Sequence, residues 1–255
     1  MVKKGKIAVV LAEFLGTGLF TLLVLSVQRS TIGVPFFVSM IAALTMVVLV
    51  FALGNSSGAI LNPAVALGLW TVRKLQTLTA LIYIGAELLG AWAAYYVYTY
   101  LINTKLTPIG GHFSGRVLAA EAIGSGILGL AWGAVAYKKW SNSIKAPVVG
   151  IATMLGMVVA STAGIGLINP GLALGVRAWV WGTYVLGPVI GVLVGVNLFG
   201  QLFATDKELA AAKSEAVSML TSSVVKSAPS VKSSPIKKAS KSSSSKKTTR
   251  KTTKK

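Results

Sequence analysis

Twenty-five Lys and Arg against six Asp and Glu give this 255-residue chain a formal charge of +19, yet 54% of its residues are hydrophobic and only 12% are charged. One soluble core of this length cannot hide so much apolar surface, and with a mean hydropathy of +0.73 and long unbroken apolar runs the chain reads as a membrane protein. The absence of Cys excludes disulfides and thiolate chemistry, the lone His112 cannot build a metal site, and no enzyme activity, metal or cofactor is expected.

The basic leader Met1 to Lys6 precedes an apolar stretch from Ile7 to about Val27. This stretch is too long for a signal-peptide core, contains Glu13 and lacks a small-residue cleavage site, so it reads as a retained first span. Further spans are expected at about Val34 to Gly54, Leu78 to Ile102, Val117 to Tyr137, Ala146 to Gly164 and Gly182 to Phe203. Lys3, Lys4, Lys6, Arg73, Lys74, Lys138, Lys139 and Lys145 then share one side, against Arg29, Lys105, Arg116 and Arg177 on the other. That bias predicts a multi-pass protein of the cell membrane with both termini in the cytoplasm.

Two Asn-Pro turns interrupt the apolar pattern, Asn62-Pro63-Ala64 after the second span and Asn169-Pro170-Gly171 after the fifth. Proline lacks a donor and fixes φ, so each proline suits the first position of a new helix that the preceding Asn caps. The first such helix, ending near Trp70, would run roughly 13 Å at 1.5 Å per residue, and the second is expected to be similar. Neither spans a hydrocarbon core of about 30 Å, but two meeting end to end nearly would.

An internal repeat organises these parts. Ala12-Glu13-Phe14-Leu15-Gly16-Thr17-Gly18 recurs as Ala120-Glu121-Ala122-Ile123-Gly124-Ser125-Gly126 at an offset of 108, and Asn62-Pro63 recurs as Asn169-Pro170 at 107. Each half, about residues 7–102 and 117–203, carries three full spans. The odd number makes the second copy enter from the opposite side, so the expected fold is an all-α membrane protein of six transmembrane helices and two re-entrant half-helices in an inverted repeat.

The half-helix N-termini would face one another near the midplane, where their dipoles disfavour cations and the Asn62 and Asn169 amides can donate to a passing solute. Carbonyls of Gly58 to Leu61 and of Gly164 to Ile168 would form a ladder of acceptors along the conduit. The buried acids Glu13 and Glu121 occupy equivalent places in the repeat and are read as braces that accept backbone N–H groups of the two loops, a proton relay being the competing role. Glu87 has no acidic counterpart, since Pro188 lies opposite it in the repeat.

Over residues 1–203 these motifs resemble the major intrinsic protein family, the aquaporins and glycerol facilitators. The resemblance rests on the two Asn-Pro elements, the paired glutamates, and Tyr184, Gly187-Pro188 and Gly191 in the last span. It implies the aquaporin-like barrel, a homotetramer with a pore in each subunit, and pore residues Asn62, Pro63, Ala64, Asn169, Pro170 and Gly171. It also implies a selectivity filter at Ala42, Met157, Gly166 and Leu172. Most members carry Arg at the last of these positions, so the filter is expected to be apolar and atypical. Arg177 lies two helical turns beyond Pro170 and reads as an interfacial charge.

Beyond Phe203 the composition changes. Residues 204–255 hold 13 Lys and Arg against three acids. Thr205 to Glu208 fits a capping box, and Leu209, Ala212, Ala216 and Met219 could line one face of a short helix. From about Ser222 the chain is expected to be a disordered cytoplasmic tail, attracted to anionic lipid at most and without specific recognition of nucleic acid. Taken together, the residues point to a passive channel for water or small neutral solutes such as glycerol. A membrane scaffold with a poorly conducting pore and a coupled secondary transporter stay open at this stage.

Overall fold

Residues 4–227 are described by the computed structural model. The basic leader before Lys4 and the tail from residue 228 lie outside the described residues. Among these, the chain forms α1 (Lys4–Gln28), α2 (Pro35–Leu53), α3 (Pro63–Thr71), α4 (Thr77–Leu101), α5 (Gly115–Lys138), α6 (Asn142–Ala160), α7 (Pro170–Gly175), α8 (Trp181–Tyr184), α9 (Leu186–Leu202) and α10 (Asp206–Ser227). Six helical stretches are long and apolar enough to cross a membrane, α8 and α9 counting as one. The half-helices α3 and α7 are not among them.

The outside of this bundle is as apolar as its core. Leu15, Val48, Leu81, Leu89, Ile123, Ile151 and Val194 are exposed in mid-span, while Glu13, Thr17, Thr21, Glu87, Glu121, Ser125 and Thr153 are buried. Apolar side chains on the outside suit a hydrocarbon solvent, and the buried polar groups lie inside the bundle, away from it.

The helices pair as the repeat requires. α1 packs on α4 as α5 packs on α9, and α1 meets α2 as α5 meets α6. Close approach at the first two crossings depends on glycine: a Cβ on Gly90 would strike the Phe14 carbonyl of α1, and one on Gly191 the Ala122 carbonyl of α5. The halves are interlocked, since α2 packs on α6, α3 lies against α9, and α7 lies against α4. Each half-helix is thus seated on the last span of the other repeat.

Three boundaries differ from the sequence expectation. α6 begins at Asn142 rather than at Ala146, which draws Lys145 into the helix and buries it to 7% exposure. Lys145 is therefore not a solvated loop charge. α7 is six residues long against nine for α3, so the second half-helix is about 9 Å rather than a match for the first. Its chain turns at Val176 and passes through a left-handed Arg177, as α3 ends at a left-handed Arg73. α10 continues through Ser227, past Ser222, where disorder is expected.

α10 starts on a reciprocal cap, the Thr205 N–H donating to Glu208 and the Glu208 N–H to Thr205 Oγ1. It folds back on the face where α1 begins, and Glu215 pairs with Lys74 at 3.1 Å and Lys139 at 3.3 Å. Partial burial alone would raise the Glu215 carboxyl, but the two ammoniums outweigh it and hold it below its ordinary value of 4.5. A depressed carboxylate contributes docking stability that is complete at pH 7 and lost as the pH falls below 4.5. Spin labels on α10 and on the α5–α6 turn should therefore separate on acidification from pH 6 to 3.5, and Glu215→Gln should separate them already at pH 7. Constant distances in both proteins would mean that these ion pairs do not hold α10.

Candidate functional site

The two re-entrant loops meet through their asparagines. Asn62 Oδ1 accepts from the Ala64 N–H and Asn169 Oδ1 from the Gly171 and Leu172 N–H groups, so each caps its own half-helix. Asn62 Nδ2 donates to the Ile168 carbonyl at 3.1 Å, and Asn169 Nδ2 donates to the Leu61 carbonyl at 2.9 Å. Each amide has two N–H donors, so the cross-bonds leave one per asparagine for a solute.

Those carbonyls are aimed by strained backbone. Ala59, Leu61 and Ile168 have φ of 50°, 53° and 46°, a region that costs residues bearing a Cβ about 1 kcal/mol or more each. Carboxylates hold the loops in this form. Glu13 accepts from the N–H groups of Ile60 at 3.2 Å and Leu61 at 2.8 Å, and Glu121 accepts from Leu167 at 2.9 Å and Ile168 at 2.7 Å. Glu87 adds a bond in the first loop only, accepting from the Asn62 N–H at 3.1 Å.

Two voids flank this junction. A vestibule of about 280 Å³ on the face opposite α10 is lined by Gln28, Arg29, Val38, Ile109, Met157, Ser161 and Gly166 among others. A central cavity of about 10 Å³ lies among Phe20, Met46, Leu128, Trp132, Thr153 and the two loops from Ile60 to Asn62 and Leu167 to Asn169. That volume has room for about one water. Pro63, Ala64, Pro170 and Gly171 are buried in the half-helices just behind the asparagines.

The level between the voids can be read from helix register. On α2, Val38 lines the vestibule and Met46 the cavity, with Ala42 one turn from each. On α6, Met157 lines the vestibule and Thr153 the cavity, and in the second loop Gly166 gives way to Leu167. Leu172 is fully buried, as is Ala42, and neither lines the vestibule or the central cavity. The same spacing on α1, from Phe20 through Val24 to Gln28, adds Val24, which sequence reasoning missed because one more valine in an apolar run carries no signal.

Arginines stand at the rim. Arg29 reaches the Thr107 carbonyl at 3.3 Å and the Val176 carbonyl at 3.4 Å. Arg177 donates to the Leu106 carbonyl and stacks over Tyr95 and Trp179. It belongs to the margin of the bundle.

Six spans around two opposed half-helices, with asparagines meeting end to end between a vestibule and a buried cavity, define a multi-pass membrane protein of the channel class. Residues 1–199 match the family model for the major intrinsic protein. Among relatives, Aquaporin AqpM of Methanothermobacter thermautotrophicus is 30% identical over 174 residues, covering 60% of this chain and 71% of the relative. Probable aquaporin AqpM of Archaeoglobus fulgidus is 26% identical over 67% of this chain and 78% of its own length. In fold, the chain resembles the X-ray structure of the aquaglyceroporin from Plasmodium falciparum with a TM-score of 0.64 at 20% identity, covering 77% of this chain and 96% of that one. The chain belongs to the major intrinsic protein family, whose members are channels and not enzymes.

Proposed function

We propose that the chain is a passive channel for small neutral solutes, glycerol among them, as well as water, with an apolar filter in place of a strictly water-selective one. The reading is supported by the residues that the family resemblance assigns to the filter, Ala42, Met157, Gly166 and Leu172, none of which is aromatic or charged; Met157 and Gly166 border the vestibule, and Ala42 lies one turn from each void. An arginine there would supply charge-assisted donors and narrow the passage, and leucine supplies neither. Arg177, engaged with Leu106, Tyr95 and Trp179, does not take its place.

Passive transport suits the acids as they stand. Both Glu13 oxygens and both Glu121 oxygens accept backbone N–H groups, and no acid lines either void. A coupled transporter needs titratable groups on the path. The small central cavity favours one competing reading, a scaffold whose pore conducts poorly. The assembly is proposed to be a homotetramer in the cell membrane with both termini cytoplasmic, in keeping with the family and with the Lys and Arg bias.

Proteoliposomes separate these readings. Water and glycerol fluxes should follow the osmotic or solute gradient and ignore an imposed proton gradient. Uphill accumulation of glycerol driven by protons would overturn the passive reading, and fluxes equal to those of empty vesicles would leave the scaffold.

A further inference from the structure

Lys145 is the one cation buried inside the spans without an ion pair among the described residues, since every salt bridge there involves α10. Its side chain reaches across to the first re-entrant loop, where Nζ donates to the Gly58 carbonyl. The ammonium also lies 4.8 Å from the centre of the Trp132 ring. Glu13 attracts it from beyond ion-pair distance. A desolvated ammonium held by one carbonyl and one indole face is an expensive arrangement, and ionisable groups within spans are functional candidates for that reason.

Its position relative to the conduit follows from two helices. Lys145, Val149, Thr153 and Met157 recur at four-residue steps on α6 and are all buried. Thr153 borders the central cavity and Met157 the vestibule, so Lys145 is the α10-face end of the stripe, about 12 Å from Thr153 at 1.5 Å per residue. On α5, which runs toward that same face, Trp132 follows Leu128 by one turn and is the last cavity-lining residue. Trp132 is thus the floor of the cavity and Lys145 lies beneath it. Gly58, only half-buried, is the outermost carbonyl of the first loop's ladder, and Lys145 occupies it.

We infer that Lys145 is a cationic stopper at the α10-face end of the pore, limiting the flux of neutral solutes. The inference rests on the channel reading and adds where and how that channel is closed. A solute leaving the cavity toward this face meets an ammonium on the last carbonyl of the ladder, and must displace it from Gly58 and Trp132 to pass. The proposed filter residues Met157 and Gly166 line the vestibule, on the opposite side of the asparagines, so the stopper and the filter act independently.

The test is flux through purified full-length protein in proteoliposomes, with water and glycerol as probes. Lys145→Met keeps the stem and removes the charge and the donors. It should raise both fluxes about tenfold, the rate change that loss of one charge-assisted hydrogen bond corresponds to. Lys145→Arg, which keeps the charge, should stay at the wild-type level. Lys145→Gln is the second variant and should fall between wild type and Lys145→Met.

Fluxes in Lys145→Met and Lys145→Gln at or below a measurable wild-type value would overturn the stopper and leave the channel reading standing. Failure of both variants to fold, judged by gel filtration and thermal unfolding in detergent, would overturn it as well, because the lysine would then be part of the framework. No flux through wild type or any variant would overturn both readings.

Discussion

Glu121→Ala is expected to remove most of the folded protein. Among the described residues Glu121 is the only carboxylate bonded to the second loop, and its loss leaves the buried Leu167 and Ile168 N–H groups without their acceptors. Each orphaned buried donor costs about 1–3 kcal/mol, so the pair amounts to about 2–6 kcal/mol. A native protein is stable by only about 5–15 kcal/mol. The penalty falls on backbone that is already strained at Ile168. Glu13→Ala should be milder, because Glu87 stands beside Glu13 and keeps its bond to Asn62. Monodisperse yield and thermal unfolding in detergent give the comparison. Wild-type values for Glu121→Ala would show that the loop holds its shape without the brace.

Leu172→Arg is expected to lower the ratio of glycerol to water flux by about tenfold, equivalent to about 1.4 kcal/mol of added discrimination at the filter. Leu172, the proposed filter position, is fully buried at the start of α7, where its N–H donates to Asn169 Oδ1. A guanidinium placed there would narrow the passage and present fixed donors suited to water. Met157→Trp narrows the vestibule side of the proposed filter without burying a charge and should shift the ratio in the same direction, so a folding defect in one variant does not decide the matter. Stopped-flow measurement of water, glycerol and urea would reveal the change. An unaltered ratio in both folded variants would place the filter elsewhere.

Much of the architecture is legible in the chain because the repeat is written twice. The matching offsets of Glu13 with Glu121 and Asn62 with Asn169 announce a two-fold arrangement before any contact is known, and Pro63 and Pro170 mark where short helices start. Hydropathy fails where a residue's partner is remote. Lys145 looks like the last charge of a loop, and remote partners, the Gly58 carbonyl 87 residues away in sequence and the Trp132 ring, accompany its burial inside α6. Val24 is silent for the opposite reason, an apolar residue among apolar residues whose register alone assigns it to the conduit. The shorter α7 depends on Arg177 turning left-handed toward Leu106, a tertiary contact that no local pattern encodes.

The asparagine cross-bonds also set an order of assembly. Asn62 donates to a carbonyl 106 residues downstream, and Asn169 donates to one 108 residues upstream. While the first half is being synthesised, its re-entrant loop has Glu13 and Glu87 but no counterpart to close against, and α3 has no α9 to lie on. The early loop must wait in the membrane with its central amide unspent until the second half has been inserted. A chain that stops short of residue 168 lacks the carbonyl that Asn62 bonds, so this seam can close only after both halves have been made.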